Sequence, residues 1–194
     1  MNLLENQFYL LSATTRDNRK KIYELADEKS FEMDEGLCNK IKSDLTHPAN
    51  RITSEISWLI GVRPSKIADL LQTVKNNPKE ILDVEGLPAL AELNLSACVF
   101  PLVAEDLPEP VLIKQVERIA LLFDGLNVDS LKRMIKEERQ VSGFPEVQDN
   151  LIIETELKKL RQHLKAILLG VLGKFEFSDY VKKVTVISEE ITDY

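Results

Sequence analysis

The chain has 194 residues, 44% hydrophobic and 29% charged, with a formal net charge of −7 and two cysteines. That hydrophobic content supports a folded core and excludes a disordered chain. The acidic balance, with no basic stripe interleaved with aromatics, speaks against a nucleic-acid binder.

Cys38 and Cys98 have no short-range partner and lie among apolar helix residues, so both read as buried free thiols of a reducing cytoplasm. The opening "MNLLENQFYLL" lacks the basic start, long apolar run and small-residue cleavage site of a signal peptide. Leu164–Leu172, the most apolar stretch, contains Lys165 and is about half of the ~20 residues a bilayer span needs. The expectation is a soluble, cytoplasmic protein.

Period-2 runs and hairpin dipeptides are scarce, and helical spacing recurs along the chain, which predicts an all-α fold. Asp17 or Thr15 can open a helix through Arg19, Ile22, Leu25 and Ala26 that ends near Met33. A second runs from about Asp34 to Leu45, with Leu37, Cys38, Ile41 and Leu45 on one face. Pro48, in a first turn where no helical hydrogen bond is lost, starts a third, with Ile52, Ile56 and Leu59 as its stripe and Gly61 as its stop.

Ser65 is a candidate N-cap for "KIADLLQTVKNN", and a short "PKEILD" follows. Apolar helices are then expected over Leu87–Ala104 and Pro110–Leu122. Asn127 or Asp129 can cap "SLKRMIKEERQVSG", which holds an i,i+4 pair at Arg133 and Glu137. Pro145 should start the longest helix, whose Ile153, Leu157, Leu160, Leu164, Ile167 and Val171 follow heptad spacing. Under three heptads, this fits a bundle core better than a free-standing coiled coil. A last helix is expected over Phe177–Thr192, and the chain closes on "SEEITDY", consistent with the front part of a longer protein. A composition shift at "GVRPS", residues 61–65, divides a helical subdomain (1–62) from a larger helical bundle (63–194), and so short a linker implies a shared interface.

Residues 6–60 or so carry a motif set of their own. "NQFYLLSATT" places Phe8, Tyr9 and Leu11 before a small residue and threonine. "RKKIYELADEK" holds the pair Leu25-Ala26, and Leu45-Thr46-His47-Pro48-Ala49-Asn50-Arg51 closes the third segment. This stretch resembles a J-domain, the DnaJ-like co-chaperone module, with Leu45, Pro48 and Arg51 in register with the family's Leu-Ser-Asp-Pro-x-x-Arg signature. The resemblance implies a three-helix J-like subdomain packed on the remainder, and a heat-shock ATPase as the class of partner.

The departures are specific. Ser30-Phe31-Glu32 stands where the family carries the His-Pro-Asp tripeptide that stimulates the ATPase. Arg16, Arg19, Lys20 and Lys21 keep part of the family's basic face, but Glu24, Asp27, Glu28 and Glu32 follow them. His47 replaces the aspartate before Pro48 and leaves Thr46 as substitute cap. The framework residues persist while the tripeptide is gone.

Chemistry-bearing patterns are otherwise sparse. Cys38, His47, Cys98 and His163 are too scattered for a metal site, and no phosphate loop or nucleophile–base pair is evident. No cofactor is implied. Glu92 and Asn94, on a very apolar helix, should need buried partners, with Asn94 knitting helices together. Trp58, beside Leu59, Ile60 and Val62, reads either as an interface anchor or as packing between the two subdomains.

These features predict a non-catalytic scaffold or adaptor with a degenerate J-like domain, contacting a protein partner or itself. The residues assigned to that contact are Arg19, Lys20, Lys21, Phe31, Glu32 and Trp58. A co-chaperone acting through an atypical loop and an enzyme with an unrecognised carboxylate site are the alternatives.

Overall fold

A computed structural model of the chain describes residues 3–175. Among these, nine α-helices and three short 3₁₀ helices occur, and no strand. The helix expected over Phe177–Thr192 lies outside the described residues.

The helices are α1 (Gln7–Leu10), α2 (Arg19–Lys29), α3 (Glu35–Thr46), α4 (Pro48–Ile56) and α5 (Pro64–Asn76). After a 3₁₀ helix at Pro78–Asp83 come α6 (Ala89–Val103), α7 (Glu109–Asp124), α8 (Val128–Ser142) and α9 (Asn150–Leu172). Local chemistry explains most of their starts. Asn18, Asp34, Asn127 and Asp149 each accept a backbone N–H of the first turn and satisfy a donor the helix cannot. Helices α4 and α5 instead begin at prolines, which bring no N–H to satisfy.

Several expected boundaries move for that reason. Asn18, not Asp17 or Thr15, caps α2, because Asp17 is engaged by the N–H and hydroxyl of Thr14. Ser65 is already inside α5, behind Pro64. Thr46 does not cap α4: its hydroxyl donates back to the Lys42 carbonyl, and His47 supplies no side-chain cap. Pro145 lies outside α9, which opens four residues later at the Asp149 cap. Leu37 faces solvent, while Cys38, Ile41 and Leu45 form the buried stripe of α3. No ion pair joins Arg133 to Glu137 among the described residues.

Two apolar cores organise the packing. One gathers Phe8, Leu11, Ile22, Ala26, Ile41, Leu45 and Trp58 with Ile67, Leu70, Val74, Leu95 and Val99. The other joins Ile52, Ile56 and Ile60 of the α4 region to Leu93, Phe100, Leu112, Ile119, Ile135, Ile153, Leu160 and Leu164. Each core draws side chains from both sides of residue 62. Helix α6 lies in both, apolar on nearly its whole circumference, as a helix surrounded by others must be.

Polar side chains tie the joint between them. Buried Asn94 donates to the carbonyls of Ile56 and Trp58, at 2.9 and 2.8 Å, and so binds α6 to the end of α4 as its position implied. Asn6 does the same from the front, donating to the Ser54 and Ser57 carbonyls. Glu92 pairs with Arg118 at 3.1 Å and accepts the Leu87 N–H, while Arg118 also donates to the carbonyls of Leu82 and Val84.

Candidate functional site

Helices α2 and α3 form an antiparallel hairpin. Arg19 Nε donates to the Thr46 carbonyl at 3.3 Å at its open end, and Lys42 reaches both the Tyr23 ring and Asp27 farther along. Ile22, Ala26, Cys38, Ile41 and Leu45 supply its buried seam, with Leu25 half-buried beside it.

The connection at residues 30–34 is held by its own backbone. Ser30 N–H donates to the Ala26 carbonyl, and the Glu32 and Met33 N–H groups both donate to Lys29. The Ser30 hydroxyl closes on Asp27 at 2.7 Å. Lys29 and Glu32 form a 2.6 Å ion pair, and that hydrogen bond raises the Lys29 pKa. The turn thus presents Phe31 outward with 91% of its surface exposed, the highest value among the large hydrophobics of the described residues. Acidic side chains surround it: Asp27, Glu28, Glu32, Asp34 and Glu35 are all exposed.

The basic row is partly consumed within the fold. Arg16 makes a two-pronged contact with Glu138 at 2.9 and 3.1 Å, and this hydrogen bonding raises its pKa. Arg19 lies over the Phe144 ring, 4.9 Å from its centroid. Lys20 and Lys21 lean on Glu24 at 3.9 and 3.7 Å, exposed pairs of small energetic value. Trp58 takes the packing role and not that of a surface anchor. It is 1% exposed, stands against Phe8 with ring centroids 5.9 Å apart, and its indole N–H has no hydrogen-bond partner.

Beneath the hairpin lies a buried ionic cluster. Arg51 is fully buried between the Phe8 and Phe144 rings, 5.0 and 4.1 Å from their centroids. It donates to Glu55 at 2.9 Å and to the Thr15 and Leu45 carbonyls. Glu55 also receives Arg139 of α8, at 2.7 Å at closest, and Arg139 reaches the carbonyls of Pro48 and Pro145. Burial lowers the Arg51 pKa, against the opposing pull of Glu55. Every carbonyl that these guanidiniums reach belongs to a loop or a helix end, so the cluster fixes how the segments meet. Arg51 and Glu55 show an i,i+4 spacing in the sequence. Their link to Arg139, 84 residues beyond Glu55, leaves no local signal.

Among the clefts that the described residues line, two differ in their walls. One, of about 270 Å³, lies between α1 and α5 and is lined by Phe8, Tyr9, Ala13, Trp58, Pro64, Ile67, Ala68, Leu71 and Lys75, among others. The other, of about 390 Å³, is polar and runs between α4 and α9, with Gln7, Lys40, Asp44, Asn50, Thr53, Glu156 and Lys159 on its walls. Burial pushes the Asp44 pKa up, but hydrogen bonds from Lys40, Gln7 and Asn50 outweigh it and hold the carboxyl below its usual range.

Cys38 is buried and Cys98 half-buried, and neither forms a disulfide. Burial raises the Cys98 pKa, which disfavours the thiolate. Among the described residues no group of three or more His, Cys, Asp or Glu side chains is placed to share a metal ion. In the same range no helix is long and apolar enough to cross a membrane. No family model, curated protein or solved structure matches the chain.

Proposed function

We propose that this chain is a non-catalytic helical scaffold or adaptor, with a degenerate J-like module at residues 6–60 that meets a protein partner through the tip of the α2–α3 hairpin. The observation that carries this reading is Phe31. An aromatic residue 91% exposed on a turn closed by five hydrogen bonds contributes nothing to the packing of its own fold. Aromatic side chains of this kind dominate the energetics of protein interfaces.

The J-like part of the reading is supported by the antiparallel hairpin, by Pro48 at the first position of α4 and by the interior placement of Leu45 and Arg51. Ser30-Phe31-Glu32 has neither the imidazole nor the proline of the family's tripeptide. Arg16 and Arg19 already have partners inside the molecule, which weakens attraction to an acidic ATPase surface. The framework therefore serves a contact other than ATPase stimulation.

A photoreactive phenylalanine analogue at position 31 tests the proposal. Discrete protein adducts are expected from that site and not from the same analogue at exposed Leu121 on α7. In single-turnover ATP hydrolysis by a heat-shock ATPase, no acceleration is expected. Acceleration that disappears in Phe31→Ala would instead establish the co-chaperone activity.

A further inference from the structure

We infer that the partner of the Phe31 tip is a second copy of this chain, whose α1–α5 cleft receives the ring. This inference rests on the tip being the contact site.

Three observations point to the cleft. Its volume of about 270 Å³ exceeds the roughly 150 Å³ apolar cavity that suffices to hold a benzene ring. Its walls are chiefly apolar and aromatic, with Phe8 and Trp58 buried behind Tyr9, Ala68 and Leu71. Its charge also complements the tip. Lys75 stands on the wall over the Tyr9 ring, and exposed Arg63 and Lys66, against one exposed acid, Asp69, lie next in sequence to the lining Pro64, Ile67 and Ala68.

The tip brings five exposed acids, Asp27, Glu28, Glu32, Asp34 and Glu35, against two cations, Lys29 paired with Glu32 and Lys42 paired with Asp27. An aromatic knob ringed by carboxylates thus faces an aromatic-walled cleft flanked by cations, both on the same molecule. Complementary potentials of this kind orient the approach, while the ring supplies the anchor. Knob and cleft sit on different elements. Two copies can therefore exchange knobs about a two-fold axis, or each can dock on the next in an open chain.

A contact this small is weak, so the test is sedimentation velocity on the full chain from about 5 µM to about 1 mM. The wild type should associate with concentration. Phe31→Ala removes the knob from a fully exposed site, and Ala68→Trp fills the cleft from an exposed helix position, so neither threatens the fold. Each should weaken self-association more than tenfold, and Lys75→Glu should weaken it as well. The decisive sample is the mixture. Phe31→Ala retains a cleft and Ala68→Trp retains a knob, so together they should form a one-to-one pair that neither forms alone.

A wild type that stays monomeric throughout, a variant that associates like the wild type, or a mixture that does not pair would overturn the inference. If a monomeric wild type still gives adducts from position 31 with a different protein, self-docking fails and the scaffold reading stands. If both measurements are blank, both fall.

Discussion

Glu55 has no contact with solvent and stands between two buried guanidiniums. Removing it leaves Arg51 and Arg139 facing one another in the interior with no anion between them. Breaking a buried ionic group in this way costs about 3–5 kcal/mol. Glu55→Ala should lower the urea midpoint accordingly, and a double-mutant cycle with Arg139→Ala should return a coupling of at least about 0.5 kcal/mol. Additive effects would show that the two residues do not act as a unit.

Asp44 gives a pH-dependent counterpart. Its folded pKa lies below the unfolded value, so its contribution is complete above the usual carboxylate range and is lost as pH falls through the folded pKa. The stability difference between wild type and Asp44→Asn, expected at about 0.5–1 kcal/mol near neutrality, should therefore shrink as pH falls through the folded pKa. A difference that grows on acidification would contradict the assignment.

The joint after α4 depends on backbone conformation. Gly61 adopts φ +78°, and a Cβ there would stand 3.1 Å from Pro88 Cγ and 3.4 Å from Met134 Sδ. Gly86 has nearly the same backbone, φ +81°, with nothing within 4 Å. Alanine at Gly86 should therefore cost only the left-handed strain, about 1–2 kcal/mol. Gly61→Ala should cost more, because Pro88 is a ring that cannot swing aside. Chemical denaturation of the pair checks this, and equal losses would mean that the close approach carries no energy. At this scale much was legible beforehand. Pro48 as a helix start, Asn127 as a cap, and Asn94 as a tie between helices each follow from one side chain's own chemistry. Ser65 and Pro145 misled because a neighbouring residue, Pro64 or Asp149, makes a better start for the same helix.

On the scale of the molecule, both cores cross residue 62, so the front segment does not hold all of its own packing. Trp58, Leu59 and Val62 pack with Ile67, Leu70 and Leu95, and Arg51 shares Glu55 with Arg139 of α8. A fragment of residues 1–62 should therefore show no cooperative thermal unfolding by circular dichroism. In the intact chain, Trp58 fluorescence and helical signal should fall together. A fragment that melts cooperatively alone would show that the front segment needs nothing beyond it.

What the amino-acid order determined unaided was local: the all-helical composition, the buried stripes of several helices, the Pro48 start and the Asn127 cap. Those depend on residues within one or two turns of each other, where spacing is information. Three-dimensional packing alone decided that Trp58 lies inside, that Arg16 and Arg19 are engaged by α8 and its following loop, and that Glu55 binds an arginine 84 residues away. It also placed a cleft of about 270 Å³ between α1 and α5. The physical reason is range. A helix cap is satisfied by its own neighbours, whereas burial and ion pairing depend on which distant segment occupies the adjoining space.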